Sequence, residues 1–219
     1  MEPSREPGVF REGRDLFTVN ATPGRRVYGE TLRLVDGVEY RAWDPFRSKL
    51  AALIVRGGAP GDLFEVPRGA LYLGGAHGTT VSHLSDLWPR TPLFVVEKSP
   101  SSFVHLLELA RSRSNIYPLF ADAQLPERYQ ADAGAVEFLY QDVAQRNQAQ
   151  IFAENARACL GRGGRGVLML KVRSVTQRGT SASVVRAARR VLERAGMAVR
   201  SETPLVPFSR DHVALSVRY

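Results

Sequence analysis

At 219 residues, with 44% hydrophobic and 24% charged residues, the chain suits one large globular domain, or one domain with a small appendage. No apolar run approaches the ~18 residues needed to span a bilayer, which excludes a membrane-crossing helix, and no membrane partner is expected. The net charge of +8 is spread rather than blocked, which argues against a disordered basic tail and for a polyanionic partner such as nucleic acid.

The opening Met1-Glu2-Pro3-Ser4-Arg5-Glu6 has no apolar segment of the signal-peptide kind. The single cysteine, Cys159, permits no internal disulfide and fits a reducing compartment. A cytoplasmic location is therefore expected. Cys159 falls in a predicted helix, where it reads as a small core residue.

From Gly8 to Asp44 short polar and apolar groups alternate. Leu16-Phe17-Thr18-Val19 and Val38 to Trp43 read as strands, with Asp36-Gly37 as a hairpin turn. Residues 1–47 thus form a small antiparallel β module, too short to stand alone. Residues 48–219 form the main domain. It begins with a helix over Ser48 to Arg56, with Leu50, Ala51 and Ile54 on one face, ended by Gly57-Gly58-Ala59-Pro60-Gly61.

Strands and helices then alternate. Strands are predicted at Ala70–Leu73, Leu93–Glu97, Ile116–Phe120, Val136–Tyr140 and Gly166–Val172. Helices are predicted at Thr80–Leu87, Ser101–Ser112, Gln148–Leu160 and Ser181–Ala195. Such alternation makes a mostly parallel sheet covered on both faces. Val199–Leu205 and His212–Arg218 follow as two strands with no helix between them. A terminal antiparallel hairpin on a parallel sheet is the seven-stranded pattern of Rossmann-like class I methyltransferases rather than dehydrogenases.

The first of these strands runs into Gly74-Gly75-Ala76-His77-Gly78-Thr79-Thr80. The glycines allow a tight turn and close approach of backbone to a ligand, and Thr79 and Thr80 are candidate caps for the next helix. The dinucleotide spacing G-x-G-x-x-G fails: from Gly74 its last position is Thr79, and from Gly75 it is Thr80. Gly74, Ala76 and Gly78 instead fit G-x-A-x-G, close to the S-adenosylmethionine loop of Rossmann-like methyltransferases. That ligand has no phosphate, so a tight loop under its amino-acid tail suffices.

Ligands of open parallel sheets bind outside the carboxyl ends of the strands. The second strand ends in Glu97, which can accept both hydroxyls of a nucleoside ribose. The third ends in Ala121-Asp122-Ala123, where Asp122 can accept from an adenine amino group. The fourth ends in Gln141-Asp142-Val143-Ala144-Gln145 and the fifth in Met169-Leu170-Lys171.

Longer motifs then sharpen the reading. Tyr72-Leu73-Gly74, Gly78-Thr79-Thr80-Val81-Ser82-His83, Asp142-Val143-Ala144-Gln145 and Arg210-Asp211-His212 resemble fibrillarin, as does Trp43-Asp44-Pro45-Phe46-Arg47-Ser48-Lys49-Leu50-Ala51-Ala52 upstream. The likeness runs from about Val38 to Tyr219. With no Gly/Arg-rich stretch ahead of it, the chain resembles the archaeal fibrillarin-like proteins. His77 departs from the small residues usual in that loop and is expected to point outward.

The resemblance implies ribose 2′-O-methylation of rRNA and tRNA, with S-adenosyl-L-methionine as donor and no metal. It implies four catalytic positions, matched by Lys49, Asp142, Lys171 and His212, and donor-binding positions matched by Gly74, Ala76, Gly78, Thr79, Thr80, Glu97, Lys98, Asp122, Ala123, Asp142 and Gln145. It also implies partners: a Nop-family scaffold protein, a box C/D guide RNA, a kink-turn-binding ribosomal-like protein and the target rRNA or tRNA. No RRM, KH loop or zinc knuckle is visible, so base choice would rest with the guide.

The chemistry suits these residue types. A ribose hydroxyl is a poor nucleophile, and burial beside a second cation is what lets a lysine take a proton. Lys171 is the expected base or hydroxyl-orienting group, held by Asp142. Lys49 and His212 are expected to position the ribose and its phosphate, or to bias Lys171. Base-amine methylation would use an Asn/Asp-Pro-Pro-Tyr/Phe loop where this chain has Asp142-Val143-Ala144-Gln145. Cytosine C5 chemistry would use a loop cysteine, and Cys159 is badly placed for it. Protein-glutamine methylation and a non-catalytic RNA-binding subunit are the remaining alternatives.

Overall fold

The structure is a computed structural model that describes residues 1–175 and 180–219. Its first five strands are β1 (Glu2–Pro3), β2 (Val9–Glu12), β3 (Asp15–Val19), β4 (Leu32–Val35) and β5 (Val38–Ala42). They form an antiparallel sheet in the order β1-β2-β3-β5-β4. Asp36 and Gly37 turn β4 into β5 with positive φ at both (49° and 78°), the backbone that the twist of a two-residue hairpin demands. The predicted strand ending at Trp43 stops one residue earlier, and the Trp43 side chain is buried in the core.

Helix α1 (Lys49–Val55) follows, with the Ser48 hydroxyl accepting from Ala51 N–H as its cap. Five of its seven residues, Leu50 to Ile54, are buried, because both sheets pack around it.

The larger sheet is built from β6 (Ala70–Leu73), β7 (Leu93–Glu97), β8 (Ile116–Phe120), β9 (Val136–Gln141), β10 (Leu160–Lys171), β11 (Ala198–Pro204) and β12 (His212–Arg218). Between them lie α2 (Thr79–Leu87), α3 (Pro100–Ser112), α4 (Gln130–Ala133), α5 (Gln148–Cys159), α6 (Val172–Val175) and α7 (Ser181–Arg194). The strand order is β11-β12-β10-β9-β6-β7-β8, parallel from β10 to β8 and antiparallel at β12 and β11. All of β6 is buried, as a central strand covered on both faces must be. This is the class I methyltransferase sheet with its terminal antiparallel pair.

Two local expectations are corrected. Strand β10 starts at Leu160, not Gly166. The run Gly161-Arg162-Gly163-Gly164 looks like a loop, but it bulges within the strand, and the register to β9 shifts between Leu160 and Arg165. Helix α2 is not capped by Thr79 or Thr80. Both lie inside its first turn, and left-handed Gly78 holds the cap position without a side-chain bond.

The two sheets are joined by a buried ionic cluster. Arg41 of β5 donates to Glu30 at 2.7 Å, to Asp86 of α2 at 2.7 Å and to Ser82 at 3.0 Å. Asp86 also accepts from Arg113 at 2.6 Å and from the Thr18 hydroxyl at 2.9 Å. His83 stands between the sheets with Nδ1 2.8 Å from Thr18 Oγ1 and Nε2 2.8 Å from Tyr28 Oη. Burial, then Arg41 and Arg113, press the pKa of His83 well below its ordinary value. The cluster therefore balances two cations against two anions around a neutral imidazole.

Candidate active site

The carboxyl ends of β6, β7, β8 and β9 surround a cavity of about 360 Å³, within the rough 300–1,000 Å³ range of small-molecule sites. Gly74 and Ala76 line it from the turn after β6. Gly74 has φ +84°, and a Cβ there would lie 2.4 Å from the Asp142 carbonyl oxygen. A Cβ on Gly75 would strike Val95, and one on Gly78 would lie 2.6 Å from Leu109. The close approaches that these glycines permit are thus to the chain itself: to the end of β9, to β7 and to α3. That is how the loop lies flat enough to leave the cavity open.

Glu97 stands at the end of β7. One carboxylate oxygen accepts from Ala76 N–H at 2.9 Å and the other from Ser99 N–H at 2.8 Å. Each oxygen keeps a further lone pair for a ligand hydroxyl. Lys98 and Ala123 also line the cavity. Asp122, between Ala121 and Ala123, accepts from Lys98 at 3.2 Å and, through its other oxygen, from Gln124 N–H and Gln145 Nε2, both at 3.0 Å. Burial raises its pKa, but the Gln124 N–H and the Lys98 ammonium outweigh that and hold the carboxyl below its ordinary value. Asp142 and Gln145 close the side toward β9. An apolar floor, fixed carboxylate acceptors beside a tight turn, and an amide at the rim suit an adenosine-type nucleoside.

Gly78, Thr79 and Thr80 sit behind this wall. Gly78 packs on α3, the Thr79 carbonyl accepts from Ser82 Oγ at 2.8 Å, and Thr80 Oγ1 lies 2.9 Å from Ser48 Oγ. The last contact fastens α1 to α2 and so aims Lys49. His77 is exposed, edge-on to His105 at 4.8 Å, and faces away from the cavity.

Lys49, Asp142, Lys171 and His212 meet beside the cavity mouth. Lys49 Nζ donates to Asp142 Oδ2 at 2.7 Å. This corrects the expected pairing of Asp142 with Lys171: among the described residues no carboxylate forms an ion pair with Lys171. Lys171 and His212 are instead direct partners across β10 and β12, which puts their side chains on one face. His212 Nδ1 lies 2.8 Å from Ser209 Oγ. Its pKa is lowered to about 4, by burial first and then by the Lys49 charge, so the ring is neutral at neutral pH. It therefore offers hydrogen bonds to a substrate rather than the positive charge expected to bias Lys171.

Gln148 is a positioning residue that sequence reasoning missed. Strand β10 outruns its partner β9, which leaves the Lys171 backbone unpaired on that side. The buried side chain of Gln148 takes the place of a strand: Oε1 accepts from Lys171 N–H at 2.8 Å and Nε2 donates to Lys171 carbonyl at 3.2 Å. Ser48 and Ser209 brace Lys49 and His212 in the same indirect way. No local signal marks a glutamine or serine for such work.

The sheet order, the glycine turn and the acid ending the second parallel strand define a class I S-adenosylmethionine-dependent methyltransferase fold. A Fibrillarin family model matches residues 2–219, and the chain belongs to the fibrillarin family. It is 40% identical over 214 residues to the fibrillarin-like rRNA/tRNA 2′-O-methyltransferase of Methanosarcina barkeri, covering 94% of this chain and 92% of that one. The Aeropyrum pernix fibrillarin with natively bound S-adenosyl-L-methionine superposes with TM-score 0.89 at 37% identity, covering 99% of this chain and 96% of that one. A fibrillarin in complex with Nop5p superposes with TM-score 0.84 at 36% identity over the full length of both chains.

Proposed function

We propose that this protein methylates ribose 2′-hydroxyls of rRNA and tRNA, as the catalytic subunit of a box C/D ribonucleoprotein. The observation that carries this is the meeting of the Lys49–Asp142 pair with Lys171 and His212 at the mouth of a nucleoside-sized cavity. S-adenosyl-L-methionine, when bound, supplies a methyl group on a sulfonium. Glu97 accepts hydrogen bonds from its ribose, while Asp122, the backbone beside Ala123, Gln145 and Lys98 receive its base. Gly74 and Ala76 underlie its amino-acid end.

Lys171 orients the RNA 2′-hydroxyl as the oxygen–carbon bond forms and the sulfur–carbon bond breaks, and the hydroxyl proton passes to solvent at the open cavity mouth. Gln148 fixes the backbone from which Lys171 projects. Asp142, paired with Lys49, sets the direction of approach, and neutral His212 hydrogen-bonds the ribose. Holding acceptor and donor in line supplies several kcal/mol of the barrier reduction.

Choice of nucleotide comes from outside the chain. Its positive charge attracts phosphates without regard to sequence. A Nop-family scaffold, a box C/D guide RNA and a kink-turn-binding ribosomal-like protein would present one ribose, with base pairing selecting it. The fibrillarin–Nop5p complex supports the scaffold part of this reading. The test is reconstitution with labelled donor, target RNA, scaffold and guide, followed by locating the label. Label on the guided ribose supports the proposal. Label on a base or on protein, or specific methylation by the chain alone, refutes it.

A further inference from the structure

Two of the segments that carry the catalytic side chains also carry aromatic rings. Phe46 lies in the turn before α1, three residues ahead of Lys49, and Phe208 lies between β11 and β12, four residues ahead of His212. The rings meet edge to face with centroids 5.0 Å apart. Phe208 is half-buried and packs on the core, whereas Phe46 is 69% exposed.

Both rings are held. Phe46 N–H donates to Asp44 Oδ1 at 2.8 Å, and Arg47 and Ser48 N–H donate to the Asp44 carbonyl. On the other side Ser209 N–H donates to the Leu205 carbonyl at 2.9 Å, and the Ser209 hydroxyl meets His212. The aromatic pair therefore bridges the two turns that aim Lys49 and His212. Exposed arginines stand nearby: Arg47 before Lys49, with its guanidinium 5.2 Å from the Tyr28 ring centroid, Arg210 before His212, and Arg173 after Lys171, paired with Asp211 at 3.0 Å. A fixed, exposed aromatic ring among cations is how proteins hold unpaired nucleotides, the ring stacking on a base while the cations track phosphates.

We propose that Phe46, backed by Phe208, is a stacking subsite for one unstacked nucleobase of the RNA strand being methylated. It sets the position of that strand over the Lys49–Asp142 pair. The proposal rests on the RNA reading of the active site and adds a direct contact to a base, made without choosing which base, since every base has a π face.

The test uses Phe46→Trp in the full chain. The native tryptophans, Trp43 and Trp88, are buried at 1% and 2% exposure, so the new indole is the exposed reporter. Its fluorescence should be quenched by a short single-stranded RNA, and much less by an abasic oligomer of the same length and charge. Phe46→Ala should weaken binding of the base-bearing RNA by about ten-fold, spare the abasic oligomer and leave the salt dependence unchanged, while Phe46→Tyr restores binding. With scaffold and guide present, Phe46→Ala should raise the KM for RNA by a similar factor with kcat and donor affinity unchanged.

Equal quenching by the abasic oligomer, or unchanged RNA affinity in Phe46→Ala, would overturn the proposal. So would loss of scaffold binding in Phe46→Ala with RNA affinity intact, which would make the ring a protein contact. Label on protein or on a base would instead overturn the ribose-methylation reading, and the binding measurements would still decide the subsite.

Discussion

Lys49 and Asp142, 93 positions apart in the chain, are joined by a 2.7 Å ion pair at the cavity mouth. Both side chains keep about a quarter of their surface in solvent, 27% and 22%. A pair that exposed adds only ~0–1 kcal/mol to stability, so its value lies in direction rather than in holding the fold. Asp142→Asn should lower kcat for methyl transfer by about a hundred-fold, the usual scale for removing an oriented charge from a reacting centre. Its unfolding free energy should change by less than about 1 kcal/mol. Single-turnover kinetics beside urea unfolding check both halves, and a wild-type rate in this variant would remove Asp142 from the mechanism.

Glu97 holds Ala76 N–H and Ser99 N–H while facing the cavity. Glu97→Ala should cost about 1.5–3 kcal/mol of donor affinity, the range for hydrogen bonds of a charged group. Glu97→Gln should lose less, because one acceptor oxygen remains. Calorimetric titration with S-adenosylmethionine measures both, and unchanged affinity in the alanine variant would end the ribose assignment.

Acid should destabilise this protein through His212 and His83, which the fold holds neutral. The pKa of His212 is lowered to about 4, against 6.5 for an ordinary histidine. Between those values the unfolded chain binds a proton that the folded chain refuses, so stability falls as pH drops from 6.5 to 4 and is insensitive to this group above 6.5. His83 is shifted in the same direction. His212→Asn should flatten the decline in midpoint denaturant concentration over that window. In kinetics, kcat/KM should show no break near pH 6.5 that the His212→Asn variant abolishes.

The ionic cluster between the sheets makes a different prediction. Asp86 compensates both Arg41 and Arg113, and all three side chains are buried. Asp86→Ala would leave Arg113 with no carboxylate partner among the described residues and Arg41 with Glu30 alone, one buried cation uncompensated, which costs about 3–5 kcal/mol. Equilibrium unfolding should show that loss, whereas a change within about 0.5 kcal/mol would mean that water or another carboxylate replaces Asp86.

Much of the fold was legible because its signals are local. Apolar runs ended by turns marked β6 to β9, and β12 falls where the pattern placed it. Asp36-Gly37 announced the hairpin because few residue pairs accept two positive φ angles. The start of β10 was hidden because a glycine run has the same composition in a bulge as in a loop. The cap of α2 was misread because threonine suits both a cap and a first turn. Only the packing of Gly78 against Leu109 decides between them.

The motifs likewise singled out Lys49, Asp142, Lys171 and His212 as residue types in a certain order, and Glu97 as an acid at a strand end. They carried no information on who touches whom. Asp142 pairs with Lys49 because the Ser48–Thr80 contact swings α1 toward the end of β9. Lys171 faces His212 because β12 runs antiparallel beside β10 in one particular register. Ser82 and His83, part of a motif beside the glycine turn, fold into the seam between the sheets rather than into the cavity. Sequence by itself determined the order of elements and the chemical groups available at the strand ends, since both follow from short-range periodicity and turn chemistry. Tertiary structure alone decided the pairings, the neutral state of His212 and the exposure of Phe46, because these depend on burial and on charges brought together from segments distant in the chain.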